Sequence, residues 1–251
     1  MTDNNHEEEL AEGTLLSHLI ELRSRLLIIA VAVLVAFIIL LPFSRDIFTL
    51  VSEPLREVLP GNAMIATAVA SPLLTPFKLT FFAALFLVMP VVLFQVWNFI
   101  APGLYKNEKR FAIPLLATSI VLFYLGIAFA YFVVFPLIFG FFTSIAPEGV
   151  EVQTDITQFL DFITTIVFAF GIAFEVPVAT VLIVWAGLTN IEKLAKARPY
   201  VFLMAFIAGM FLTPPDVISQ SLLAVPVYLL YELGIIMSKV FISKKSKSDS
   251  S

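Results

Sequence analysis

The sequence predicts an all-α polytopic membrane protein with six transmembrane helices and both termini in the cytoplasm. The 251 residues are 60% hydrophobic and only 14% charged, with a mean hydropathy of +0.99, whereas soluble domains are about half apolar and about a quarter charged. Six apolar runs alternate with polar segments. Of the 15 Lys and Arg residues, 12 fall on one side of the predicted spans, and that side is cytoplasmic by the positive-inside rule.

The six spans differ in length. A helix needs roughly 20 apolar residues to cross ~30 Å of hydrocarbon. The predicted spans are residues 26–43, 77–100, 111–142, 159–188, 200–213 and 217–237. The fifth span has 14 residues, which correspond to about 21 Å of helix. In the sixth span, the part without strongly polar groups, between Gln220 and Glu232, has 11 residues, or about 17 Å. Such short spans thin the membrane, associate with a partner or form a tight buried hairpin.

The chain is predicted to be a single membrane domain. Residues 14–240 form the bundle, between a flexible acidic head (1–13) and a flexible cytoplasmic tail (241–251). The first outer loop, residues 44–76, begins with apolar residues at helical spacing, which predicts short helices lying on the outer surface.

The residues that carry out most enzyme chemistry are missing from the sequence. It has no cysteine and only two histidines, both in or near the N-terminal tail, and it contains no P-loop, H-E-x-x-H or G-x-S-x-G motif. We therefore expect no enzymatic activity, no cofactor, no metal site and no nucleic-acid partner.

Glu175 is the only ionisable residue between residues 162 and 191. A carboxylate at the centre of a membrane helix costs ~3 kcal/mol on insertion-type scales, so such an acid is a functional candidate by default. At helical spacing it shares a face of small and polar groups with Thr164, Gly171 and Ala179. The alternative is a protonated, hydrogen-bonded glutamic acid with a structural role.

Two acids lie on the predicted cytoplasmic side. Glu21 and Arg25 are four residues apart, which predicts either a helix-stabilising pair or an exposed acidic contact. Glu108 is the only acid of the first inner loop, among Lys106, Lys109 and Arg110. It is either a solvated surface acid or a carboxylate that accepts a bidentate guanidinium.

A polar patch marks the outer ends of the last two spans. Thr213, Ser219 and Gln220 form it, and Asp216 in the turn is a candidate cap for the sixth helix. Interhelical hydrogen bonds in membranes are worth ~0.5–2 kcal/mol each, so the patch is suited to bind a foreign helix.

Several stretches together resemble the TatC family, the core receptor of the twin-arginine protein translocase, in its proteobacterial form. The resemblance runs from about residue 14 to 240. Its motifs are HLIELRSRLL, SEPL, MIATAVASPLLTPFKL, VWNFIAPGLYKNEKR, FYLGIAFAYFVVFP, FGIAFEVPV, RPYVFLMAFIAGMFLTPPD and SQSLLAVPVYLLYELGI.

The resemblance implies a cupped, glove-like bundle in the bacterial inner membrane, in contact with its lipid. Such proteins assemble with the single-span subunits TatA and TatB and with other TatC copies. They bind Arg-Arg signal peptides at the cytoplasmic face and export folded proteins using the proton-motive force.

The resemblance also assigns roles to residues. Glu21 and Glu108 would meet the arginine pair, and Phe99 and Arg23 would belong to the same site. Further functional positions would be Pro54 and Asp216, with Glu175 facing a concave groove. A partner helix would dock on the last two helices, at Met204, Phe211, Thr213 and Gln220.

Two other functions fit the residues without the resemblance. One is a proton-coupled secondary transporter of small solutes, with Glu175 as its proton site. The other is a purely structural membrane subunit, which would tolerate changes at Glu108 and Glu175.

Overall fold

The computed structural model describes residues 3–56, 64–100, 109–145, 154–212 and 217–248. In these ranges the chain is almost entirely helical. The helices are α1 (Asp3–Leu40), α2 (Ser44–Arg56), α3 (Ser71–Leu87), α4 (Met89–Ile100), α5 (Lys109–Phe129), α6 (Phe135–Ser144), α7 (Ile156–Ala173), α8 (Val176–Trp185), α9 (Ile191–Leu212) and α10 (Val217–Ser248). A 3₁₀ turn (Leu41–Phe43) joins α1 to α2, and a π-helical turn (Ala130–Val134) joins α5 to α6.

Six membrane crossings fit this arrangement, as predicted. Five helical segments of the described chain are long and apolar enough to span a membrane, and the bent pair α3–α4 makes the sixth. With six crossings, the start of α1 and the end of α10 lie on one side. We call this side the N-terminal face and the other side the opposite face.

The second span bends by 49° between α3 and α4. Pro90, in the first turn of α4, has no N–H to give to the carbonyl of Phe86. The amide of Val91 bonds to Val88 instead of to Leu87. The hydroxyl of Tyr124 on α5 donates to both freed carbonyls, at 3.1 and 3.2 Å. The bend is therefore fixed by a side chain from the neighbouring span, as a membrane interior requires.

The third span changes its helical register near the opposite face. The π-helical turn ends at Val134, two residues before Pro136, which is in the first turn of α6. A proline ring clashes with the carbonyl four residues earlier, and π-bulges are one of the ways in which a helix absorbs such a defect.

The core lies between the third and fourth spans. A β-carbon at Gly126 of α5 would lie 2.6 Å from the carbonyl oxygen of Phe170, and one at Gly171 of α7 would lie 2.6 Å from the ring of Phe123. Only glycine allows the two helices to approach so closely. Because lipid is as apolar as these side chains, close packing and dispersion hold the spans together rather than removal from water.

The other helices surround this core in sequence. Helix α1 packs on α3 and α4, α2 lies against α3 and α6, α3 contacts α7, and α8 packs on α10. Helix α9 packs mainly on α10. The last hairpin is therefore at one end of the bundle, and much of α9 faces outward.

The two loops at the opposite face are tied together. Ile65 forms a parallel bridge with Asp155, through Ile65 N to Thr154 O at 3.0 Å and Ile156 N to Ile65 O at 2.9 Å. The Asp155 carboxylate caps α7 and also accepts from the amide and hydroxyl of Thr67, at 2.9 and 2.7 Å. These hydrogen bonds lower the pKa of Asp155 to about 2, and the bond from the Thr67 hydroxyl has the largest effect, followed by the bond from the Thr67 amide.

The last two helices are longer than the apolar stretches that predict them. Helix α9 has 22 residues and α10 has 32, so as helices they are not short. Both helices continue through polar residues, and two of these, Arg198 on α9 and Glu232 on α10, pair with each other, with Nε to Oε1 at 2.6 Å and Nη2 to Oε2 at 2.8 Å. Only the apolar parts are shorter than a bilayer.

The predicted first outer loop begins with a helix, as expected, but α2 continues the first span, in a candidate spanning segment that runs from Leu19 to Pro54, so its predicted position on the outer surface is not confirmed. Helix α2 covers residues 44–56 and contains Pro54, which is half-buried.

Candidate functional site

Four residues form a polar cluster where α1 meets the end of α4. The Arg25 guanidinium donates from Nε to Oε1 of Glu21 at 3.1 Å, from Nη1 to Oε1 of Gln95 at 3.1 Å and from Nη2 to the carbonyl of Asn98 at 3.0 Å. Its Nη2 also contacts Glu21 Oε1. We call these residues the Arg25 cluster. The last carbonyls of a helix have no partner within it, so Arg25 caps α4 while it pairs on α1.

The Glu21–Arg25 pair predicted from their spacing is confirmed. The side chains are 34% and 19% exposed, respectively, and a helical pair of this kind is worth ~0.3–0.5 kcal/mol. Both interpretations of the sequence are compatible with this geometry, because the carboxylate is paired and also accessible. Gln95 and Asn98 were missed, since nothing in the sequence joins Arg25 to residues 70 and 73 positions later.

Of the other residues predicted for the signal-peptide site, the structure describes two and leaves one outside the described ranges. Phe99 follows Asn98 in the last turn of α4 and is half-buried, and Arg23 is exposed on α1. Glu108 lies outside the described residues, one position before α5 begins. Its relation to Glu21 therefore stays a prediction.

Glu175 lies at the break between α7 and α8 and is half-buried. The hydroxyl of Ser119 on α5 donates to Oε2. Within the described chain, Oε1 is buried without a hydrogen-bond partner. Ser119 was missed, and its only signal was its place as a small polar residue in a long apolar span.

The small face around Glu175 packs against α5 at Gly171, where the ring of Phe123 fills the space. The Thr164 hydroxyl on that face is buried, and the structure shows no partner for it among the described residues. Within those residues, no group of three or more His, Cys, Asp or Glu side chains could hold a metal ion.

The predicted docking surface is on the hairpin of α9 and α10. Met204 and Phe211 are 60% and 79% exposed. Gln220 is half-buried on α10, and its carbonyl oxygen would lie 3.5 Å from a β-carbon at Gly209 of α9. Ser219 is fully buried, so it cannot belong to an exposed patch. Thr213 and Asp216 lie outside the described residues.

Comparison with known proteins identifies the family. Residues 17–226 match the family model of the Sec-independent protein translocase protein TatC. The chain belongs to the TatC family. The TatC protein of Azotobacter chroococcum is 62% identical over 88% of this chain and 87% of its own length, and that of Escherichia coli K12 is 57% identical over 92% and 90%.

The fold agrees with a solved member of the family. A crystal structure of the twin-arginine translocase receptor TatC superposes with a TM-score of 0.79, at 37% identity, over 89% of this chain and 98% of that one. The resemblance stated from the motifs is thus confirmed. The chain is a multi-pass membrane protein and a protein-translocase component, a transport receptor and not an enzyme.

Proposed function

We propose that the chain is the TatC receptor that binds Arg-Arg signal peptides at the cytoplasmic face of the bacterial inner membrane. In complex with TatA, TatB and other TatC copies, it would export folded proteins using the proton-motive force. Its relatives are named as translocase proteins, and a related crystal structure as a twin-arginine translocase receptor.

The Arg25 cluster is the observation that carries this proposal. It shows a carboxylate, Glu21, engaged by a guanidinium at the membrane face where the signal peptide would arrive. Arginine is suited to such a carboxylate because its planar fork makes two parallel hydrogen bonds, which an ammonium does not. Glu108 would supply a second carboxylate for the second arginine.

The charge distribution supports the orientation. By the predicted topology, 12 of the 15 basic residues fall on the same side of the spans as the N-terminus, and cytoplasmic segments are enriched in Lys and Arg. Both termini would therefore lie in the cytoplasm, as would Glu21 and Glu108.

A binding assay tests the proposal. The purified full chain should bind a peptide with the S-R-R-x-F-L-K motif more tightly than its Lys-Lys counterpart. Glu108→Gln should weaken binding while six spans still insert, because an amide keeps the shape but loses the charge. Equal binding of the two peptides by the wild-type chain would contradict the receptor function. Unchanged peptide crosslinking in Glu108→Gln would remove only Glu108 from the site.

We propose further that a single-span TatA or TatB subunit packs on α9 and α10. The exposed apolar side chains of α9, with Gln220 beside them, are suited to a helix that carries one polar residue. Photocrosslinkers at Met204, Phe211 and Gln220 should capture such a subunit. If they capture only lipid while probes on the exposed Phe132 of the third span capture the partner, the surface is misassigned.

A further inference from the structure

In this structure the carboxylate of Glu21 already holds a guanidinium of its own chain. Nε and Nη2 of Arg25 contact Glu21 Oε1. Its Nη1 donates to Gln95 and its Nη2 also to Asn98, both on α4. We propose that Arg25 acts as an internal substitute for a signal-peptide arginine, and that the incoming guanidinium displaces it from Glu21. The inference rests on the proposed function, because it concerns how that same site selects its ligand.

Displaced Arg25 still has partners. Its Nη1 donates to the Gln95 side chain and its Nη2 to the Asn98 carbonyl, and both acceptors are on α4, not on α1. Losing Glu21 would therefore not leave a buried charge without hydrogen bonds, which is the costly outcome when an ion pair is broken. The contact that is given up is a partly exposed pair within one helix, and such pairs are weak.

The exchange makes Arg25 a specificity-determining residue. A peptide arginine replaces one planar fork by another and can use both carboxylate oxygens. A peptide lysine brings a compact charge without that fork, so it has to displace two N–H contacts of Arg25 without equivalent geometry. Discrimination then comes from competition against the wrong ligand as well as from attraction to the right one.

Peptide binding to the full-length protein in lipid nanodiscs tests the exchange. Arg25→Gln removes the internal competitor, so the Lys-Lys peptide should bind about 2- to 5-fold more tightly, the range set by loss of an exposed ion pair. The Arg-Arg peptide should gain less, and the preference for arginine should fall. Arg45→Gln removes one charge from an exposed site at the opposite face and should leave the preference unchanged.

Gln95→Leu provides an independent test, because Arg25→Gln also removes a contact between α1 and α4. Without Gln95, the displaced Arg25 has one partner fewer, so both peptides should bind about 2- to 5-fold more weakly at an unchanged ratio. Melting temperatures of all variants are measured alongside.

The outcomes separate the two proposals. If the wild-type chain binds both peptides equally, the proposed receptor function fails, and the exchange fails with it. If the wild type prefers arginine and Arg25→Gln prefers it equally, or loses Lys-Lys binding at an unchanged melting temperature, only the exchange is wrong. Equal or tighter Arg-Arg binding by Gln95→Leu would also overturn it.

Discussion

Two carboxylates at opposite faces of the bundle are engaged by different means: Asp155 joins two separate loops, whereas Glu21 pairs within α1 with Arg25, the side chain that reaches α4. Asp155 is 7% exposed and accepts four hydrogen bonds from neutral groups of Thr67, Thr157 and Gln158. Glu21 is more exposed, and Arg25 reaches it with a long, charged side chain. Backbone donors cannot leave without moving their segment, whereas a side chain can. We therefore call the hydrogen bonds of Asp155 the permanent tie and the Glu21–Arg25 pair the exchangeable contact.

A third carboxylate, Glu175, is half-buried and accepts one hydrogen bond, from Ser119. Its replacement should have the largest effect on protein export. Glu175→Leu should leave the melting temperature unchanged or higher, because it removes a group that costs ~3 kcal/mol at mid-membrane. Export of an Arg-Arg reporter protein should fall strongly. Glu175→Gln keeps the shape without the charge and is the matched control. Wild-type export by the leucine variant would mean that the acid is only structural.

The exchangeable contact should matter for binding and not for stability. Glu21→Gln should weaken Arg-Arg peptide binding by roughly 10- to 100-fold, since hydrogen bonds to charged groups are worth ~1.5–3 kcal/mol. Its melting temperature should barely change, because the pair with Arg25 contributes only ~0.3–0.5 kcal/mol. Peptide titration and thermal unfolding on one preparation measure both. A large loss of stability would make Glu21 a tie like Asp155.

The permanent tie should show the reverse pattern. Asp155→Ala removes the cap of α7 and the oxygen that accepts both hydrogen bonds from Thr67, so the melting temperature should fall by several degrees and protease cleavage at the opposite face should increase. Asp155→Asn keeps a good capping side chain and should lose less. Peptide affinity at the N-terminal face should be unchanged in both variants, and a parallel loss of affinity would show that the two faces are coupled.

The smallest effect is expected from pH. The pKa of Asp155 is about 2 in the folded chain, below the ordinary value of ~4. Because the folded value is the lower one, the stability that Asp155 contributes is complete above pH ~4 and is lost as the pH falls from about 4 to about 2. The melting temperature of the wild type should therefore drop more steeply across that window than that of Asp155→Asn. Parallel curves would show that the charge contributes nothing.

The number of spans could be predicted, and Glu175 could be singled out as a candidate, because both depend on local composition. A run of apolar residues specifies a membrane helix, and a lone acid in it is conspicuous. Helix ends were predicted less well. Polarity ends an apolar run, but it does not end a helix: α9 begins before Arg198, and α10 continues past Glu232.

The contacts between distant segments could not be predicted. Asp155 before an apolar run is a recognisable capping position, yet its Thr67 partner is 88 residues away. Arg25 could be paired with Glu21 by helical spacing, but Gln95 and Asn98 become its neighbours only when α1 packs on α4. In both cases one partner is fixed by local geometry and the other by packing.

The π-helical turn at Ala130–Val134 has a consequence for sequence length. A π-helical turn forms i→i+5 hydrogen bonds and so contains one residue more than an α-helical turn. Each residue of an α-helix turns the chain by about 100°, so that extra residue sets which side of α6 points inward. Phe135 and Ile138, both fully buried, depend on that setting. A relative with one residue fewer here would carry a straight third span and would need a different set of inward-facing residues beyond it. A single-residue gap in an alignment at this turn would thus mark a rotated outer segment rather than a shortened loop.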